Sequence, residues 1–251
     1  MKKFLFMAVF AMGALVASAQ KSGNSPVFFS TEKADRGVTF GIRAGLNFAN
    51  VSAEANHRIY ETDNRTAFHV GVVVDIPIVK SLYVQPGFYL QSKGAKYEEI
   101  EDDEYYSSGL EITGSPLYLQ IPVLLSYRCD FSDAVQLQVN FGPYFAYGVG
   151  GKLKYENWDE DDSNTFSYNY FGNDLFETDS YYDEEPPFTF NRFDCGLQVG
   201  AGFTFAKHYY VGFAYEFGLT NSIDVSREYR SLLKDMSVKN SNWMLGIGYN
   251  F

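Results

Sequence analysis

Three histidines, His57, His69 and His208, and two cysteines, Cys129 and Cys195, are the only side chains of those types in 251 residues. They form no H-E-x-x-H pattern and no clustered Cys/His set, so no zinc centre is expected and no residue is assigned to a metal. No G-x-S-x-G elbow occurs, and no catalytic or cofactor-binding residue is assigned. The run Asp159-Glu160-Asp161-Asp162 offers oxygens to a calcium ion, but Asn164 stands where an EF-hand loop has glycine, and a solvated acidic loop is the plainer reading. Two distant pairings remain. His69 with Asp194 is the one acid–base combination with the right residue types. Arg43 with Glu216 is a candidate buried ion pair. Each depends on elements that bring residues far apart in sequence to one place.

Those elements show themselves as alternation. In the last nine residues Trp243, Leu245, Ile247, Tyr249 and Phe251 are large and apolar, and Met244, Gly246, Gly248 and Asn250 lie between them. A period of two means a strand with one apolar face. Seven earlier segments repeat it: 38–48, 66–76, 82–96, 115–127, 135–155, 192–205 and 209–220. In the first, Phe40, Ile42, Ala44, Leu46 and Phe48 face one way, and Gly41, Arg43, Gly45 and Asn47 the other. The second face of all eight is Gly, Gln, Asn and Tyr with few Lys or Glu. That makes a poor water-exposed surface and a good narrow lumen. The expected fold is all-β, an eight-stranded antiparallel up-and-down transmembrane β-barrel over residues 38–251. Pro86, Pro122 and Pro143 fall inside strands and need a bulge or an edge to absorb the lost ladder bond.

The N-terminal end fits export. Met1-Lys2-Lys3 is a basic start, Phe4 to Val16 an apolar run, and Ala17-Ser18-Ala19 a small-residue cleavage site. Residues 1–19 are therefore expected to be a signal peptide, too short in its apolar core to span a bilayer as a helix. Residues 20–37, polar and without periodicity, read as a periplasmic lead-in. The net charge of -11 argues against nucleic acid as a partner. The acids concentrate at Glu98–Glu104, Asp159–Asp162 and Asp183–Glu185, blocks that read as solvated loops.

Connections alternate in length. The turns at 77–81, 128–134 and 206–208 are short. The stretches 49–65, 98–114, 156–191 and 221–241 are long. Short periplasmic turns and long extracellular loops are the rule for outer-membrane barrels, which puts both termini in the periplasm. Aromatics gather near both strand ends, Phe48, Phe68, Tyr147, Phe193 and Trp243 at one and Phe40, Tyr127, Phe205, Tyr209, Tyr249 and Phe251 at the other, as interfacial girdles do.

Five segments carry a family resemblance: Gly41–Phe48, Tyr118–Leu125, Gly142–Gly148, Arg192–Leu197 and Tyr215–Asn221. Together, and in this order, they resemble the PorT-like outer-membrane β-barrel family of Bacteroidetes. The resemblance implies an outer-membrane location and a small barrel. One founding member is linked to secretion of proteins across the outer membrane, and no active site is carried over. The closing strand also resembles the C-terminal signal read by the barrel assembly machinery.

In a barrel of eight strands side chains just fill the lumen. Arg43, inward and mid-strand, then needs a partner, and Glu216 is expected to supply it, with Gly246 and Gly248 leaving room. Cys129, in a periplasmic turn, and Cys195, near the outer rim, are expected to be free, since barrel height exceeds the ~7 Å Cα limit of a disulfide. The leading functional reading is a non-enzymatic barrel with a plugged lumen and no cofactor. It would act through long acidic loops or partner contacts in binding, secretion or envelope integrity, its expected partners being outer-membrane lipid, the barrel assembly machinery and secretion or envelope proteins. A barrel enzyme acting on lipid or peptide through His69 and Asp194, and a soluble periplasmic ligand-binding barrel, are the alternatives.

Overall fold

The computed structural model describes residues 37–55, 58–103, 106–132, 134–158, 163–172, 188–225 and 237–251. The expected signal peptide, nearly all of the lead-in, His57, and the blocks Asp159–Asp162 and Asp183–Glu185 lie outside the described residues. Among those described, the strands are β1 (Thr39–Ala55), β2 (Arg58–Glu61), β3 (Arg65–Val79), β4 (Leu82–Ser92), β5 (Ala95–Asp103), β6 (Tyr106–Ser132), β7 (Val135–Trp158), β8 (Ser163–Asn169), β9 (Phe188–Phe190), β10 (Phe193–Phe205), β11 (Tyr209–Gly218), β12 (Ile223–Val225) and β13 (Ser237–Asn250).

Eight of them close a ring. The order runs β6-β4-β3-β1-β13-β11-β10-β7, and β6 pairs back with β7. All ring neighbours are antiparallel. The seam between β1 and β13 registers from Gly41 opposite Asn250 to Glu54 opposite Ser237.

The molecule is apolar outside and polar inside. Phe40, Ile42, Leu46, Val70, Val72, Phe88, Ile121, Leu125, Phe145, Phe213, Leu245 and Ile247 are all exposed. Asn47, Asp75, Gln85, Gln91, Lys93, Gln120, Gln138, Asp194, Glu216 and Asn242 are all buried. A water-soluble barrel has the reverse order, because exposing this much apolar surface to water is unfavourable. A bilayer removes that cost and demands a closed ladder, which the ring supplies.

Several boundaries differ from the sequence reading. The expected loop 49–65 holds the end of β1 and β2, which pairs back on it, and the expected loop 221–241 holds β12 and the start of β13. The segment 82–96 is not one strand: it breaks at Lys93 and Gly94, where Gly94 takes φ +110, into β4 and β5. The loop expected at 98–114, with the acidic block inside it, is largely a hairpin, since β5 pairs with β6 from Ala95–Gly114 to Asp103–Tyr106. Lys96 lies 3.0 Å from both Glu98 and Glu111, so part of the repulsion that argued for a loop is neutralised within the pair of strands. The turn expected at 128–134 is shorter, because β6 continues to Ser132 with Arg128 paired inside the lumen. The long stretch 156–191 starts as strand: β7 reaches Trp158 and β8 pairs back on it. β5, β6, β7 and β8 thus continue past the ring as a four-stranded sheet at the end with the long connections.

Candidate functional site in the lumen

Inward parity and the narrow ring put the polar side chains of eight strands into one column, and they sort into layers. The layer nearest the long connections centres on Lys93. The break at Gly94 lets the chain turn there, and a Cβ at that position would collide with the Gly114 carbonyl oxygen. Lys93, 1% exposed, places Nζ 3.1 Å from Asp194 Oδ2 and 3.3 Å from Glu216 Oε2, with the ammonium 4.1 Å from the centre of the Tyr144 ring. Asp194 also accepts from Thr220 Oγ1 at 2.9 Å and Tyr144 Oη at 3.3 Å. Glu216 accepts from Gln91 and Asn242, each at 3.3 Å, and from Gln120. Two carboxylates on one ammonium leave a surplus negative charge, and this ring of neutral donors stabilises it.

The middle layer holds His69, whose Nδ1 lies 2.7 Å from Asn47 Oδ1 and whose ring is tilted against Tyr89. Asn47 Nδ2 donates to the backbone carbonyls of Phe68 and Ser92. A cavity of about 50 Å³ lies beside it, lined in part by Arg43, His69, Tyr89 and Tyr210.

The layer nearest the tight turns contains two arginines. Arg43 Nη2 donates to Asn250 Oδ1 at 2.7 Å, Nη1 to the Ile42 carbonyl at 3.0 Å, and the guanidinium stacks 4.3 Å over Tyr210. Arg128 Nη2 lies 2.6 Å from Asp75 Oδ1, and its guanidinium stacks over Tyr83. Gln85 donates to Asp75 as well, at 2.6 Å.

The pairing expected between Arg43 and Glu216 is therefore incorrect. Glu216 stands opposite Asn242, and Asn242 opposite Ala49, six residues along β1 from Arg43. At ~3.3 Å per residue that is roughly 20 Å, beyond the reach of the two side chains. Each found a nearer partner: Asn250 and Tyr210 for Arg43, Lys93 for Glu216. Gly248 does make room for Arg43, since a Cβ there would lie 2.7 Å from Nη1, but Gly246 makes room for His69 instead. His69 and Asp194 are not brought together either; they lie in different layers and share no hydrogen-bond partner. Neither is open to a substrate, at 5% and 2% exposure.

Lys93 and Arg128 are the functional side chains the sequence reading missed. Lys93 has the same parity as the inward residues Gln85, Tyr89 and Gln91, and that was the available signal. Both cysteines are free. Leu137, the ladder partner of Cys129, faces Phe203, eight residues along β10 from Cys195, roughly 26 Å away at ~3.3 Å per residue.

A family model described as "Outer membrane protein beta-barrel domain" matches residues 18–224. Among solved structures, the chain is similar to Ail, the attachment invasion locus protein of Yersinia pestis, at 16% identity over 86% of this chain and 100% of that one, with a TM-score of 0.35. It is similar to the outer membrane protein OprG from Pseudomonas aeruginosa at 12% identity over 88% of this chain and 99% of that one, with a TM-score of 0.39. It is also similar to Neisserial surface protein A at 11% identity over 86% and 100%, with a TM-score of 0.34. Comparison with curated proteins returns no match.

Proposed function

Because the chain belongs to the outer membrane protein beta-barrel domain family and so sits in the outer membrane, we propose that it is a non-enzymatic barrel with a plugged lumen that works through its long-connection end. The observation that carries this reading is Lys93, buried between Asp194 and Glu216 with every one of the three tied to further lumen side chains. A side chain held this way is a bolt across the channel rather than a reactive group, because its charge is already engaged by two carboxylates and an aromatic ring. In this reading the tight turns face the periplasm and the four-stranded extension of β5 to β8 faces outward, following the usual asymmetry of such barrels. The segments Gly41–Phe48 and Tyr215–Asn221, among the five that resemble the PorT-like group, favour a role in secretion or envelope integrity, with contacts to outer-membrane lipid, the barrel assembly machinery and secretion or envelope proteins.

Two measurements test it. In a planar lipid bilayer the unsubstituted chain should add no steady conductance, while a Lys93→Ala, Asp194→Ala, Glu216→Ala variant should give resolvable steps. A steady open channel in the unsubstituted chain overturns the plug. A membrane-impermeant thiol reagent should label a cysteine introduced at Asp224 in intact cells and leave one at Lys207 unlabelled; the opposite result inverts the orientation.

A further inference from the structure

The tight-turn end opens into a vestibule of about 540 Å³, within the size range of small-molecule sites. Its lining includes Asp75, Tyr83, Arg128, Asp130, Thr204 and Lys207. The carboxylates there are already engaged. Asp75 has Arg128 Nη2 at 2.6 Å and Gln85 Nε2 at 2.6 Å, and Asp130 accepts from Gln136 Nε2 at 2.7 Å. The donors are not. Arg128 is 8% exposed, its Nε bonds Ser126 Oγ at 3.4 Å, and its buried Nη2, though 2.6 Å from Asp75 Oδ1 as an ion pair, completes no hydrogen bond of good geometry among the described residues. Thr204, 4% exposed, has a buried hydroxyl with no partner among the described residues.

A buried donor without an acceptor costs free energy on the order of 1–3 kcal/mol, and a native structure keeps one where something else supplies the acceptor. We infer that the vestibule binds the oxyanion of a small ligand, a carboxylate or a phosphate, against the free edge of Arg128 and the hydroxyl of Thr204. Three observations point the same way. Of the unsatisfied groups the guanidinium can only donate, and the hydroxyl can donate beside it, which selects an anion over a cation. Tyr83 stacks on the guanidinium at 4.3 Å and fixes its plane, so its N–H edge is preorganised for a planar or tetrahedral oxyanion. Lys80 and Lys207 add two ammonium groups to the lining, where they raise the local concentration of anions. Asp130, also at the mouth, suits a ligand whose outer part carries a hydrogen-bond donor.

The purified full chain in detergent micelles tests this without any assumption about orientation or conductance. It is titrated with alanyl-alanine, with its C-terminal amide, and with inorganic phosphate, and binding is followed by calorimetry and by amide shifts along β6 and β10. The acid or phosphate should bind, the amide should bind at least about ten-fold more weakly than the acid, and Thr204→Val should weaken binding by a similar factor. Arg128→Gln should abolish it. Tighter binding of the acid than of phosphate identifies an amino-acid or peptide carboxylate; the reverse identifies a phosphate. No binding of either, an amide equal to the acid where the acid binds tighter than phosphate, or a Thr204→Val variant that binds as well as the unsubstituted chain overturns the site. The valine variant keeps the shape of threonine, so it gives an answer even if Arg128→Gln fails to fold.

Discussion

Lys93 Nζ lies 3.1 Å from Asp194 Oδ2 although 101 residues separate them in sequence. One sits at the break between β4 and β5, the other at the start of β10, and they meet only because the ring has closed. The contact is a report on closure as much as a source of stability.

Removing the ammonium while leaving both carboxylates should be costly. Lys93→Met strands two buried negative charges, and breaking a buried pair in this way typically costs about 3–5 kcal/mol. Urea titration followed by the gel shift of heat-modifiable barrels should show the midpoint fall. Adding Asp194→Asn and Glu216→Gln should recover part of the loss. A Lys93→Met variant with an unchanged midpoint contradicts the arrangement.

Arg43 and Glu216 should be energetically independent. A double-mutant cycle with Arg43→Met and Glu216→Gln should give a coupling within about 0.5 kcal/mol of zero, the additivity expected of sites more than ~10 Å apart. The cycle pairing Arg43→Met with Asn250→Ala should give a clearly larger value. Equal coupling in both cycles would restore the pairing that the sequence suggested.

Outward positions at different depths on one strand should answer differently to charge. Leu245, 53% exposed, lies mid-belt on β13, so Leu245→Arg should destabilise the barrel by about 2–4 kcal/mol in lipid. Lys239→Glu, near the start of the same strand and beyond the apolar belt, should change stability far less. Equal effects at the two positions, measured by refolding into vesicles, would argue that Leu245 does not face hydrocarbon.

The β5–β6 hairpin should loosen in acid. Hydrogen bonding to Lys96 holds the Glu111 carboxyl below its ordinary value of 4.5, while burial opposes this. A depressed folded value means stability present above about 4.5 and lost as pH falls through the folded value. The same bond raises Lys96 above 10.5, so its contribution holds below that pH and fades as pH rises through the folded value. Amide exchange in β5 should quicken at both extremes, and Glu111→Gln should flatten the acid limb. An unaltered acid limb in that variant rules out this pair as its origin.

Strand count and facing were legible because period-two alternation survives every local irregularity: Phe40, Ile42, Val70, Val72, Leu245 and Ile247 all face outward as their parity demands. The extensions beyond the ring were not. Glu98 and Glu99 look like loop residues by charge, but outside the membrane a β-ladder needs only backbone pairing and leaves such side chains in water. The lumen partners were hidden for a different reason. Parity says that Arg43, Lys93 and Glu216 all point inward, while the stagger between strands decides which inward residues share a level, and stagger leaves no mark in the local sequence.

The seam has a consequence for how the molecule comes into being. Arg43 and Asn250, bonded across it, are 207 residues apart. Every other ring neighbour follows its partner more closely in the chain, so hairpins can form early, but β1 keeps an open edge until β13 pairs with it. Closing so long a loop is slow, and an unpaired, apolar-faced edge invites wrong neighbours in the meantime. The seam thus makes assembly order, rather than final stability, the vulnerable stage of this protein's life. Substitutions along Gly41–Phe48 or Trp243–Asn250 should lower its yield before they lower its durability.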